Sequence, residues 1–153
     1  MDNKLVSADN QYVVFELDNE FYGIDIHRVA TIEKVMDITR VPHASEYVQG
    51  VINLRGEVVP VVNLRKAFHL PQIEYNDETR IIIVSVEDIV VGLLVDSSSE
   101  VLQLHEDEID DAQNVVNNIE YNYIKGIGKK DGRIIILLDL KTVLGITDSS
   151  ESE

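Results

Sequence analysis

The chain runs twice through one pattern of short period-two segments and tight turns, and that repetition constrains its fold more than any other feature. Tyr12–Leu17 and Phe21–Ile26 flank Asp18-Asn19-Glu20, and Ile81–Val86 and Ile89–Val95 flank Glu87-Asp88. Gly50–Leu54 and Val58–Asn63 flank Arg55-Gly56-Glu57, while Ile124–Lys129 and Arg133–Leu138 flank Lys130-Asp131-Gly132. A shift of 69 residues lays Gly23 on Gly92 and Ile32 on Val101. A shift of 76 lays Gly50 on Gly126, Gly56 on Gly132, Leu64 on Leu140 and Arg65 on Lys141. Turn glycines in phase, each followed by a strand and a helical turn, indicate an internal duplication of about 13–68 and 82–144 within one domain at 11–145.

Each half carries about four or five strands, too many to lie flat without exposed edges. The expected fold is therefore mainly β: two small barrels packed side by side, with a few short helices. The residue usage agrees, with 21 Val and 18 Ile against 5 Ala, because β-branched side chains suit a pleated surface. Single helical turns are predicted at Leu64–Leu70 and Leu140–Leu144, and another short helix at 43–48 after Pro42. Residues 1–10 and 147–153 are polar and are expected to be flexible tails.

With 13 basic and 28 acidic residues the formal charge is −15, which opposes binding to nucleic acid or anionic lipid, since phosphate recognition needs a cationic patch. No cysteine is present, so disulfides, thiolate metal sites and cysteine nucleophiles are excluded. No apolar run approaches the ~20 residues of a membrane span, and the first residues have no signal-peptide pattern. Membrane insertion is not expected, and the expected location is the cytoplasm.

Catalytic signatures are missing: there is no G-x-S-x-G, Walker loop, G-x-G-x-x-G or H-E-x-x-H. Lys125-Gly126-Ile127-Gly128-Lys129-Lys130 lacks the Ser/Thr of a phosphate loop and reads as a basic hairpin. His27, His43, His69 and His105 have no metal-ligand spacing. The stretch from His105 to Asp111 lacks the order of a calcium loop and reads as a solvated acidic loop. Ser97-Ser98-Ser99 has no neighbouring base and reads as an irregular link between strands. No catalytic residue, cofactor or metal is expected.

The segment from Gly50 to Arg65, G-V-I-N-L-R-G-E-V-V-P-V-V-N-L-R, closely resembles the hallmark of the CheW family, the coupling proteins of bacterial chemotaxis. Tyr22-Gly23-Ile24-Asp25-Ile26, Thr39-Arg40-Val41-Pro42 and the Asp131-Gly132 hairpin fall where that family has them, so the resemblance spans about 11–145. It implies two five-stranded SH3-like barrels and a non-catalytic adaptor. The implied partners are the cytoplasmic tips of chemoreceptors and the regulatory domain of the histidine kinase CheA. The implied setting is a ring or array at membrane-associated receptors, with the isolated protein mostly monomeric. A CheW-like regulatory scaffold of another chemosensory or kinase pathway is the alternative.

Carried over residue by residue, the resemblance places Val29, Ile32, Gly50, Arg55 and Val101 on the receptor-binding side and Ile38 and Val58 on the kinase-binding side. Each receptor-side residue has a plainer alternative. Gly50 could serve only close strand approach or positive φ. Arg55 could be an exposed hairpin arginine of little energetic weight, and Val29, Ile32 and Val101 could be core. Two departures from the family stand out: Thr31 replaces a frequent glutamate, with Glu33 two residues on, and Asn63 replaces the usual aspartate.

Overall fold

The computed structural model describes residues 10–111 and 123–145. These residues form eleven strands: β1 (Gln11–Leu17), β2 (Glu20–Asp25), β3 (Val29–Lys34), β4 (Val48–Leu54), β5 (Glu57–Asn63), β6 (Arg80–Val86), β7 (Ile89–Val95), β8 (Ser97–Gln103), β9 (Ile109–Asp111), β10 (Ile124–Lys130) and β11 (Arg133–Leu138). Two short helices, α1 (Leu64–Ala67) and α2 (Leu140–Leu144), and single 3-10 turns at Ile26–Arg28 and Glu106–Glu108 complete the described residues. The tails expected at 1–10 and 147–153 lie outside them, apart from Asn10.

The expected mainly β architecture is present, as two sheets. One has six strands in the order β8-β1-β2-β11-β10-β9, and the other five in the order β3-β6-β7-β5-β4. The chain divides into two compact units whose described residues are 10–14, 21–26, 100–111 and 123–145 in the first and 15–20 and 27–99 in the second.

All four hairpins turn through two residues with positive φ: Asp18 (54°) and Asn19 (69°), Arg55 (51°) and Gly56 (92°), Glu87 (49°) and Asp88 (70°), Asp131 (54°) and Gly132 (79°). Such turns match the right-handed twist of the flanking strands. Arg55 and Glu87 carry a Cβ into a left-handed conformation, which costs about 1 kcal/mol each.

The two copies read from the sequence do not fold one per sheet. Hairpin β1–β2 lies beside β11, with Gly23 opposite Leu137 in a parallel pair, and hairpin β6–β7 lies beside β5, with Gly92 opposite Val61 in a parallel pair. The shift of 69 carries Gly23 to Gly92, and the shift of 76 carries Val61 to Leu137. Each contact is thus the counterpart of the other with the copies exchanged. Parallel pairing requires a long crossover, and here the crossovers run from one copy to the other. Glycine is required at the Gly92 contact, where a Cβ would stand 2.7 Å from Ile81 Cγ2.

Locally the matched segments agree. Both β4–β5 and β10–β11 slip register just before their shared glycine, at Val48/Gly50 and Ile124/Gly126. Asn63 Oδ1 caps α1 by accepting from the Lys66 amide, and Asp139 caps α2 by accepting from the Thr142 amide. The amides of Asn63 and Asp139 each donate, at 2.8 Å, to the carbonyls of Tyr47 and Tyr123, a pair again 76 apart.

In the second unit Ile52, Val59, Val61, Ile81, Ile83 and Leu94 form a buried cluster, with Val35, Met36, Ile38 and Leu54 packed on it. A reciprocal Thr39–Val51 bridge, 2.8 Å in each direction, returns the chain beyond β3 to the edge of β4. In the first unit Tyr12, Leu104, Ile135 and Leu137 form the buried cluster, with Phe21, Leu102 and Ile109 against it.

Three local expectations are corrected. Residues 43–47 are turns and irregular chain leading into β4, which begins at Val48, rather than a helix, because His43 at φ 65° cannot continue a right-handed one. Helix α1 stops at Ala67, and His69 at φ 62° prevents extension to Leu70. Ser97-Ser98-Ser99 opens β8 instead of forming an irregular link, since pairing to a sheet edge overrides weak local propensity.

Candidate functional site

The five-stranded sheet has β3 and β4 as its two outer strands, and the turn of the hallmark segment reaches from the β4 side to β3. Arg55 sits at the tip of the β4–β5 turn, braced by the Gly56 amide donating to Asn53 Oδ1 at 2.9 Å. Its side chain is 67 % exposed, and Nη2 donates to Glu33 Oε2 on β3 at 3.0 Å. The same Glu33 oxygen accepts from Thr31 Oγ1 at 2.8 Å. The Thr31 hydroxyl first, and the Arg55 guanidinium next, hold the Glu33 carboxyl below its ordinary range, against a smaller opposing push from burial. The polar contact left open by Thr31 is therefore made by Glu33, which lies one side-chain step further along the same face of β3.

The other candidates divide by exposure. Ile32 is 41 % exposed and Val58 73 % exposed, so both can be covered by a partner. Val29 is half-buried, at a register irregularity between Val29 and Thr31. Gly50 is buried with φ 151°, and a Cβ there would lie 2.3 Å from the Thr39 carbonyl oxygen. Any influence of Gly50 on a partner passes through the backbone at Thr39, not through its own surface. Ile38 is half-buried, packed on the core, and its Cγ2 would meet the same added Cβ at 2.8 Å. Val101 belongs to the first unit, on β8, and is 49 % exposed; its neighbour Glu100 is paired with Arg133. Exposed apolar side chains that the sequence reading did not single out include Ile73, Tyr75, Ile89, Val90 and Ile134.

A second polar cluster in the same unit also went unnoticed in the sequence. Arg65, only 8 % exposed, donates from Nε and Nη2 to the two oxygens of Asp96 at 2.9 and 2.8 Å, from Nη1 to the Pro71 carbonyl, and from Nη2 to Asp18 at 3.5 Å. The Asp18 amide completes the ring on Asp96 Oδ2 at 2.9 Å. Asn63 and Gln72 border the cluster, Asn63 Nδ2 donating to Gln49 at 3.1 Å and to Gln72 at 3.0 Å. Asn63, Arg65, Gln72 and Asp96, with Tyr75 and Thr79, line a cavity of about 20 Å³, room for one water molecule.

In the first unit, Lys125–Lys130 lies within strand β10, whose Lys130 donates to the Gln103 carbonyl at 2.8 Å. The acidic stretch after His105 is a 3-10 turn and β9, with Glu108 accepting from the His105 amide at 2.8 Å. No group of three His, Asp or Glu side chains among the described residues is placed to hold a metal ion.

Comparison with known proteins places these features in context. A family model described as a CheW-like domain matches residues 11–147. The chain is 40 % identical over 147 residues to chemotaxis protein CheW of Bacillus subtilis (strain 168), covering 96 % of this chain and 94 % of that protein. It is 37 % identical over 134 residues to chemotaxis protein CheW of Treponema pallidum (strain Nichols), covering 85 % and 79 %. The fold superposes on the crystal structure of scaffolding protein TtCheW from Thermoanaerobacter tengcongensis with a TM-score of 0.82 at 34 % identity, covering 91 % of this chain and 94 % of that one.

Proposed function

The chain belongs to the CheW-like family, and from that premise we propose that it is a non-catalytic adaptor coupling the cytoplasmic tips of chemoreceptors to the regulatory domain of the histidine kinase CheA. The observation that carries this reading is Arg55: a guanidinium on a turn tip, two-thirds exposed and restrained on one side by Glu33. A restrained cation held by β3, together with the exposed Ile32 of the same strand, suits a helical partner that presents both polar and apolar groups. Receptor contact is assigned to Arg55, Ile32 and Val29 in the second unit, with Gly50 acting through the Thr39 backbone, and separately to Val101 in the first unit. Kinase contact is assigned to the exposed Val58 and the half-buried Ile38.

Such a protein makes and breaks no bonds; it links two binding equilibria. Weak contacts suffice where partners are tethered together, because tethering raises the effective concentration. Contacts made through two different faces extend into rings or arrays rather than closing as a dimer. The charge of −15 opposes self-association, so the free chain is a monomer in this reading. No helix among the described residues is long and apolar enough to cross a membrane, and the proposed place of action is the cytoplasmic side of receptor arrays.

The test is a binding assay of the purified chain against a receptor cytoplasmic fragment and the kinase regulatory domain. Coupling requires both to bind, with Arg55→Ala weakening the first and Val58→Glu the second. Binding to the kinase domain alone would replace the coupler by a regulatory scaffold, and binding to neither would remove the proposal.

A further inference from the structure

The Arg55–Glu33 pair raises a physical question. An exposed ion pair contributes little, because fixing two long side chains costs about as much rotamer freedom as the attraction returns. Arg55 is 67 % exposed, yet the Glu33 side chain that meets it is only 18 % exposed. What distinguishes Glu33 is its second partner: Thr31 Oγ1, at 2.8 Å, donates to the same Oε2 that accepts Arg55 Nη2 at 3.0 Å. Thr31 and Glu33 stand two apart on β3, so their side chains share one face, and a β-branched threonine has few rotamers to lose. The carboxylate is therefore fixed before the guanidinium arrives, and capturing Arg55 costs the freedom of one side chain rather than two.

We propose that Thr31 is a positioning residue for Arg55, acting through the Glu33 carboxylate. Residue 31, which the family resemblance marks as a departure, is then a working part of the site: hydroxyl and carboxylate on alternate residues of β3 together aim a cation carried by the β4–β5 turn. The consequence for coupling rests on the reading of Arg55 as a receptor-facing group.

The experiment compares Thr31→Val, which keeps shape and branching but lacks the donor, with Thr31→Ser, which keeps the donor. Carbon-detected NMR follows the Glu33 carboxyl through an acid titration, and nitrogen relaxation follows Arg55 Nε. A receptor cytoplasmic fragment serves as the binding probe. The expected result for Thr31→Val is a Glu33 titration moved up toward the ordinary carboxylate range, a more mobile Arg55, and receptor binding weakened about three- to tenfold, the worth of one hydrogen bond. Thr31→Ser restores all three. An unchanged Glu33 titration and Arg55 mobility in Thr31→Val overturns the proposal, as does a Thr31→Ser protein that behaves like Thr31→Val. If the titration and mobility change while Arg55→Ala binds the receptor fragment like the unaltered chain, the positioning role stands and the receptor reading of Arg55 falls.

Discussion

Arg65 and Asp96 face each other through two parallel hydrogen bonds, Nε to Oδ1 at 2.9 Å and Nη2 to Oδ2 at 2.8 Å, with the guanidinium 9 % and the carboxylate 21 % exposed. Around this pair the Pro71 carbonyl, the Asp18 side chain and the Asp18 amide supply the remaining partners. The cluster thereby ties α1, the loop after it, the β1–β2 turn and the end of β7 within the second unit.

Breaking such a pair from one side leaves a poorly solvated charge behind. Arg65→Met keeps most of the apolar stem but strands Asp96, and should cost about 3 kcal/mol, the low end for a buried pair because Asp96 keeps some water. Arg65→Lys should recover only part, since an ammonium cannot match both carboxylate oxygens and the Pro71 carbonyl in one plane. Urea unfolding of the three proteins checks this; equal stability of Arg65→Met and the unaltered chain would show the cluster to be inert.

The same pair sets a response to acid. Burial pushes the Asp96 carboxyl up, but the Arg65 hydrogen bonds, the Asp18 amide and the Arg65 charge together outweigh it and hold the group below its ordinary value. A carboxyl depressed in the folded state stabilises above its unfolded value, near 4, and that stabilisation is lost as pH falls from there through the folded value. Stability should therefore drop below about pH 4, and Asp96→Asn should show a shallower drop over that range. Some slope remains in the variant, since Glu33 is shifted in the same direction. Denaturant midpoints measured from neutral to acid pH decide it: identical slopes in both proteins would contradict the assignment.

The hairpins were legible because each is local: alternating apolar residues around a turn signal predict the pair wherever it later docks. The exchange of hairpins between the copies was not, because Gly23 opposite Leu137 and Gly92 opposite Val61 are pairings between distant segments that no local pattern encodes. Strand β3 escaped notice for a related reason, since Val29–Lys34 takes its order from pairing with β6. At the site, the family hallmark pointed to Arg55 but not to its partner: Thr31 stood out only as a departure, with Glu33 two residues on. Arg65 and Asp96 were visible only as charges following apolar stretches, at Leu64-Arg65 and Val95-Asp96, 31 positions apart. Asn63 at an aspartate position is explained by its amide, which supplies donors to Gln49 and Gln72 that a carboxylate lacks.

Gly50 separates two explanations that the sequence left open. Its φ of 151° and the 2.3 Å separation between an added Cβ and the Thr39 carbonyl oxygen mean that Gly50→Ala must push the Thr39–Val51 bridge apart. The expected cost is about 2–3 kcal/mol, as for overpacking combined with backbone strain, with amide exchange at Thr39 and Val51 faster than in the unaltered chain. Weakened partner binding in this variant would follow from displacement of Thr39 and Ile38, since Gly50 itself is buried. An alanine variant that keeps both its stability and the slow exchange at Thr39, yet loses binding, would show that the glycine touches the partner directly.

Val58 and Val59 put the proposed kinase-facing surface to its sharpest test, because one substitution at adjacent residues should fail in opposite ways. Val58 is 73 % exposed and Val59 only 2 %, since successive side chains of β5 point to opposite faces. Val58→Glu leaves the core untouched and should change stability by less than about 0.5 kcal/mol, while placing a charge where an apolar contact is proposed. Val59→Glu buries an unpaired carboxylate in the cluster of Ile52, Ile81 and Leu94 and should leave little folded protein, at a cost of several kcal/mol. Circular dichroism melts followed by binding to the kinase regulatory domain distinguish the two. A folded Val58→Glu that still binds the kinase domain at full strength would remove β5 from the interface, whereas a folded protein that no longer binds would place the kinase contact there independently of anything at Arg55.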